Sequence, residues 1–136
     1  MKSMLRWVLL FPGAVAAGYL AYLVGGTINR FTMTMFIGSL EGWYDLAAVF
    51  MEQMYFAACA LYIGGRIAPY QKRLAILVLS GLLLLFVGFS TALVLTQPSS
   101  VSLPASISST AGVVFAIGGV IVALERGQLD LGQDAV

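Results

Sequence analysis

Four long apolar stretches divide the chain. They run from Trp7 to Gly26, from Leu46 to Gly65, from Leu74 to Thr96 and from Ile107 to Leu124. At about 1.5 Å per residue each stretch is about 27–35 Å long as a helix, which is enough to cross a hydrocarbon core about 30 Å thick. The pattern therefore predicts an all-α integral membrane protein, a four-transmembrane-helix bundle that forms one domain over residues 1–136.

The segment between the first two predicted spans, residues 27–45, carries two competing patterns. Apolar side chains recur there at helical spacing, at Met33, Phe36, Ile37, Leu40 and Tyr44. From Phe31 to Met35, however, threonines alternate with apolar residues, which is the period of an extended strand. We expect a short helix lying in the membrane interface, with a short extended piece as the alternative.

The composition favours lipid as the surrounding solvent. Of the 136 residues, 60% are hydrophobic and only 10% are charged, and the mean hydropathy is +0.96. A water-soluble domain usually carries about 25% charged residues, so this chain has too few to cover a surface that faces water. The net charge of +1 does not indicate a basic surface that would bind nucleic acid. We therefore expect membrane lipid, and no nucleic acid, among the partners.

Basic residues are distributed unevenly about the four predicted spans. Six of the seven lie on one side: Lys2, Arg6, Arg66, Lys72, Arg73 and Arg126. Only Arg30 lies on the other side. Because cytoplasmic loops are enriched in Lys and Arg, this distribution predicts a multi-pass protein of the plasma (inner) membrane with both termini, including the tail 125–136, in the cytoplasm.

A cleaved signal peptide is the alternative interpretation of the first stretch. Lys2 and Arg6 would form its basic region, and Ala14-Val15-Ala16 resembles a cleavage site. The apolar run continues beyond that point to Val24, however, so we favour a membrane span.

Small residues form faces along three of the spans. On the fourth span they are Ser109, Gly112, Ala116, Gly119 and Ala123; on the first they are Ala14, Gly18, Ala21 and Gly25; the third adds Gly81, Gly88 and Ala92. Such faces let helix backbones approach closely, and close packing drives association in lipid. They predict either packing inside one bundle or an interface between protein chains.

Acidic residues cluster at the start of the second span. Glu41, Asp45 and Glu52 are spaced by four and seven residues, so one helix would present all three on a single face. A carboxylate inside a span costs about 2.5–3.5 kcal/mol and usually faces protein or water. We take these three as a candidate ion or proton site, completed by two neighbours, Gln53 and Tyr55. Alternatively, Glu52 anchors the end of the span or pairs with Arg30.

Three basic residues between the second and third spans, Arg66, Lys72 and Arg73, are candidate contacts for anionic lipid headgroups; alternatively, they only fix the topology. The chain has no histidine and a single cysteine, Cys59. A Ser–His–Asp triad, a Cys–His pair and histidine-ligated zinc or haem are therefore excluded. We expect no enzyme activity, no metal site and no cofactor.

These observations favour a non-catalytic membrane subunit that acts through assembly with itself or with another membrane protein. The small-residue faces and the short connections support this interpretation. The alternative is a small oligomeric ion channel or ion-coupled transporter with Glu52 lining its pathway. The two hypotheses differ in whether Glu52 faces a polar pathway.

Overall fold

The computed structural model describes residues 2–38, 41–97 and 102–129. They form four α-helices: α1 is Lys2–Ile37, α2 is Trp43–Ile67, α3 is Lys72–Thr96 and α4 is Leu103–Glu125. All four are long and apolar enough to cross a membrane. The predicted all-α bundle of four candidate spans is confirmed.

Helix α2 lies at the centre of the bundle. It packs against each of the other three helices, and α3 and α4 also pack against each other, whereas α1 packs mainly against α2. Ala48, Ala57 and Leu61 of α2 are completely buried. The outward faces of α1 and α3 carry many exposed large apolar side chains, as lipid-facing surfaces do.

Helices that follow one another in the chain run antiparallel, so α2 and α4, which pack against each other, run parallel. At one end of the bundle the ring of Trp7, near the start of α1, lies 5.9 Å from that of Tyr70, just after α2. At the opposite end, Ser108 near the start of α4 donates a hydrogen bond to the backbone oxygen of Leu46 in α2. The short connections therefore alternate between the two ends of the bundle.

Residues 27–37 differ from the prediction of a separate interfacial helix. They continue α1 without a break, so that this helix has 36 residues and is about 54 Å long. The hydroxyl groups of Thr27, Thr32 and Thr34 each donate a hydrogen bond to the carbonyl oxygen four residues earlier. Because the helix itself satisfies these polar groups, the alternation of threonines does not impose an extended strand.

Two glycines allow the chain to turn between α1 and α2. Gly38 and Gly42 have φ angles of 85° and 59°, a region that residues with a Cβ atom rarely adopt. Helix α4 begins at Leu103, four residues earlier than predicted, because Pro104 lies in its first turn, where the missing N–H group is not needed.

The small-residue face of α1 packs against α2. Ala14 is buried, and a Cβ atom built on Gly18 would lie 2.8 Å from the backbone oxygen of Phe56. A Cβ atom built on Gly25 would lie 2.7 Å from the ring of Tyr55. These contacts require glycine, so this face serves the packing of α1 and α2 within one chain.

The small-residue face of α4 is only partly used in the same way. Gly112 lies directly against the backbone of Phe50, and Ala116 is buried. In contrast, a Cβ atom built on Gly119 would have no heavy atom within 4 Å. The remaining members of the face, Ser109 and Ala123, are half-buried.

Replacing Gly112 with alanine should destabilise the bundle. The added methyl group would meet the backbone oxygen of Phe50, which cannot move aside as a side chain can. Overpacking of this kind typically costs about 1–3 kcal/mol. The free energy of unfolding can be measured in detergent micelles by far-UV circular dichroism as SDS is added.

The matched control is Gly119→Ala in the same helix, where the added carbon meets nothing. Alanine is the better helix former by about 1 kcal/mol, so the stability should stay unchanged or increase slightly. Equal losses in the two variants would contradict the packing of α4 against α2.

Candidate functional site

Glu52 is a buried carboxylate held by an arginine. Its side chain lies nine residues after the start of α2, about 14 Å along the helix, and the residue is only 4% exposed. Arg30 of α1 donates two hydrogen bonds to it: Nε bonds Oε1, and Nη2 bonds Oε2 at 3.2 Å. This paired geometry matches the planar guanidinium to the planar carboxylate.

Helix α1 makes room for this ion pair. A Cβ atom built on Gly26 would lie 3.0 Å from Cγ of Glu52, so the glycine lets the carboxylate side chain lie between the helices. Arg30 follows four residues later, one turn along the same face. Together they border a cleft of about 180 Å³, lined also by Tyr22, Leu23 and Thr27.

Asp45 extends the pair towards the end of the bundle. Its Oδ1 atom lies 3.7 Å from Nη1 of Arg30, and both side chains are about half exposed. One guanidinium therefore bridges an exposed carboxylate and a buried one. Pairing of this kind lowers the cost of placing an ionisable side chain within a span.

The other members of the predicted site lie elsewhere. Glu41 precedes α2 and is exposed, so the predicted single stripe of three acidic residues does not form. The ring of Tyr55 packs over Gly25 instead of contributing to an ion site. Gln53 faces a different side of α2, towards Gly112 of α4. Within the described residues, no group of three acidic or thiol side chains could hold a metal ion.

A second polar region lies between α2, α3 and α4. A cavity of about 380 Å³ is lined there by six uncharged polar residues: Gln53, Ser90, Thr91, Ser106, Ser109 and Thr110. Of these, only Gln53 belongs to the predicted ion site. The spacing of Ser106, Ser109 and Thr110 by three and four residues puts them on one helical face, a signal that could have indicated this region.

Part of the cavity wall is a network of hydroxyl groups that joins α3 to α4. The Oγ1 atoms of Thr91 and Thr110 lie 3.0 Å apart, and Ser106 donates to Thr91 over 3.3 Å. Thr91 and Thr110 also bond to backbone oxygens one turn earlier in their own helices. Hydroxyl bridges of this kind commonly hold membrane helices together.

The three candidate headgroup contacts lie at the opposite end of the bundle from the ion pair. Arg66 is in the last turn of α2, where it donates to the hydroxyl oxygen of Tyr62 at 3.3 Å. Lys72 and Arg73 begin α3. Contact with anionic lipid remains a prediction for all three.

Arg30→Met should destabilise the protein more than Glu52→Gln. Without Arg30, the charged carboxylate stays buried between two helices, and removing one partner of a buried ion pair costs up to about 3–5 kcal/mol. Without Glu52, the guanidinium can turn to water or lipid headgroups because its side chain is already 44% exposed. The free energy of unfolding of each variant can be measured by titration with SDS at neutral pH.

The double variant and Asp45→Asn provide the controls. The double variant should lose less than the sum of the two single losses, since neither charge remains. Asp45→Asn should cost less than about 1 kcal/mol because this contact is longer and half exposed. Additive losses, or an equal loss from Asp45→Asn, would show that the Arg30–Glu52 pair does not stabilise the fold.

Comparison of the chain with protein-family models, with curated proteins and with solved structures finds no match.

Proposed function

We propose that the protein is a non-catalytic membrane subunit that acts by assembling with further copies of itself through the outer face of α3. The observation that carries the proposal is the position of two glycines on this helix. Cβ atoms built on Gly81 and Gly88 would meet no heavy atom within 4 Å. Both glycines therefore lie on a surface that nothing in the described chain covers.

These two glycines lie opposite the buried side of their helix. They are seven residues apart, so they share one face after about two turns. The residues of α3 that pack into the bundle lie about half a turn away, at Ala75, Ile76, Leu79, Ser80 and Val87. Glycine contributes no side chain to a lipid contact, but it allows another helix to approach closely.

The exposed face of α3 also has the spacing of a helix–helix seam. Apolar residues, three of them small, recur along it at intervals of four and three, in the order Leu74, Val78, Gly81, Leu85, Gly88, Ala92 and Leu95. This is the average repeat of 3.5 residues found where two helices pack with a small left-handed crossing angle. Gly81 and Gly88 leave depressions between the exposed side chains of Leu74, Leu85 and Leu95.

The state of Glu52 favours assembly over ion permeation. Its carboxylate accepts two hydrogen bonds from Arg30 and packs against Gly26. An ion in transit would have to compete with the guanidinium for the same oxygen atoms. The ion pair is consistent with a structural role at the interface of α1 and α2.

We further propose that the protein lies in the plasma (inner) membrane with both termini in the cytoplasm. Antiparallel packing gathers the start of α1, the connection between α2 and α3, and the end of α4 at one end of the bundle. Arg6, Arg66, Arg73 and Arg126 all lie there. Because cytoplasmic loops are enriched in Lys and Arg, the position of these arginines favours this orientation.

The orientation can be tested with single cysteines at Gln71 and Gln97 in a Cys59→Ala background. Both positions are exposed and lie at opposite ends of α3. In intact cells, a membrane-impermeant thiol reagent should label the cysteine at position 97 and leave the one at position 71 unlabelled until the cells are lysed. The reverse pattern would show that the termini face outward.

Gly88→Leu should weaken self-association without unfolding the single chain. A Cβ atom at this position meets no heavy atom within 4 Å in one chain, but a leucine side chain would fill the depression into which a second α3 packs. An overpacking penalty of about 1–3 kcal/mol corresponds to association about 5–150 times weaker. The oligomeric state can be measured in lipid bilayers by single-molecule photobleaching as the protein-to-lipid ratio is varied.

Gly119→Leu is the matched control, because this glycine of α4 is also open within one chain but lies on a different helix. The Gly119→Leu variant should self-associate as strongly as the wild type. A wild-type protein that stays monomeric at every protein-to-lipid ratio, or an equal effect of the two leucines, would refute assembly through α3. A different protein recovered in fixed ratio from native membranes would replace the second copy as the partner.

A further inference from the structure

The cavity between α2, α3 and α4 exposes polar groups that no described residue pairs. The hydroxyls of Thr91 and Thr110 have hydrogen-bond partners, as described above. Within the described part of the chain, the side chains of Gln53, Ser90 and Ser109 have none. In an apolar bundle an unpaired amide or hydroxyl is costly, so these three groups favour a molecule that can form hydrogen bonds with them.

The part of the cavity wall formed by described residues carries no charge. All fourteen lining residues are uncharged, and the nearest acidic neighbour in sequence, Glu52, faces α1 and is paired with Arg30. An ionic group moved into this cavity would lose its hydration without gaining a counter-charge. The amide of Gln53 both donates and accepts hydrogen bonds, which suits neutral carbonyl and hydroxyl groups.

Apolar side chains lie on both sides of the polar belt. Towards the middle of the bundle the wall is formed by Phe56, Leu83 and Val113, and towards the end of the bundle by Val49 and Val94. A small-molecule site is typically apolar, with a few polar groups that fix the orientation of its ligand. The layout therefore fits an apolar frame with hydrogen-bonding oxygens attached.

The opening of the cavity faces the surface that lipid would cover. Phe86 is 71% exposed and Ser90 is also exposed, and both line the cavity. Its volume of about 380 Å³ lies at the lower end of the range for small-molecule sites, about 300–1,000 Å³. A whole two-chain lipid is too large, but a ring or a glycerol ester with its chain left outside would fit.

We propose that this cavity binds an uncharged amphipathic molecule that carries carbonyl or hydroxyl oxygens on an apolar frame and enters from the lipid phase. Gln53, Ser90 and Ser109 hold the oxygens by hydrogen bonds. Two sources share this chemistry: a benzoquinone ring with an alkyl tail and a neutral acylglycerol. The site is independent of the assembly face, because Gly81 and Gly88 lie on the opposite side of α3.

Binding can be tested on the full chain in lipid nanodiscs by isothermal titration calorimetry with three probes. Decyl-substituted benzoquinone and dioctanoylglycerol are the neutral probes. Dioctanoyl phosphatidic acid is the matched charged probe, because it differs from dioctanoylglycerol by its phosphate. At least one neutral probe should bind, and phosphatidic acid should bind at least about tenfold more weakly than dioctanoylglycerol or the quinone. Which neutral probe binds identifies the source of the ligand.

Gln53→Leu should weaken binding of that probe by about tenfold, the loss of about one hydrogen bond in a site shielded from water. The double variant Ser90→Ala/Ser109→Ala removes the other two groups and decides the question if Gln53→Leu fails to fold. Thr32→Val is the control, because this exposed hydroxyl of α1 bonds only its own helix and its loss should leave binding unchanged.

Three results would overturn the proposal. One is that neither neutral probe binds. Another is that phosphatidic acid binds as tightly as the neutral probes. The third is that the folded cavity variants bind like the wild type. The oligomeric state is measured separately from ligand binding. A Gln53→Leu variant that loses ligand binding but assembles like the wild type would therefore distinguish the two proposals.

Discussion

The bundle depends on how closely α1 approaches α2. In lipid, apolar surfaces gain little by leaving their solvent for each other, so packing and polar contacts hold helices together. Helix α1 has α2 as its main neighbour, and Gly18 and Gly25 bring the two backbones close. Gly26 then gives Glu52 the space in which Arg30 can reach it. Close packing and the ion pair are thus parts of one contact, since neither could form at a larger separation of the helices.

Helix α2 separates two environments of different chemistry. Consecutive residues of a helix point about 100° apart, so Glu52 and Gln53 face different neighbours. The carboxylate faces α1, where Arg30 neutralises it, and the amide faces the cavity bordered by α3 and α4. This separation keeps the charged groups away from the cavity. The uncharged cavity and the buried ion pair can therefore lie beside adjacent residues of the same helix.

The four spans could be predicted from the sequence because hydropathy over about 20 residues reports directly on the solvent. The continuation of α1 through residues 27–37 could not, because the alternation of threonines with apolar residues there has the period of a strand. Only the structure shows that the helix satisfies the hydroxyl groups of Thr32 and Thr34. The pairing of Glu52 with Arg30 could be named only as an alternative, since it depends on which face α1 turns towards α2. The cavity could be predicted only in part. The spacing of Ser106, Ser109 and Thr110 indicates a polar face on α4, but its meeting with polar residues of α2 and α3 depends on helix rotations that no single stretch of sequence specifies.

The different faces of α3 would let one helix serve both the proposed assembly and the proposed ligand binding. Its inner face supplies Thr91 to the hydroxyl network and Ser90 to the cavity, whereas Gly81 and Gly88 lie on its outer face. The cavity opens beside Phe86 and Ser90, which lie about half a turn around the helix from the two glycines. A second copy packed against the outer face would therefore leave the opening accessible from the membrane. Each chain in such an assembly would keep its own proposed binding site, so ligand binding would require no separation of the chains.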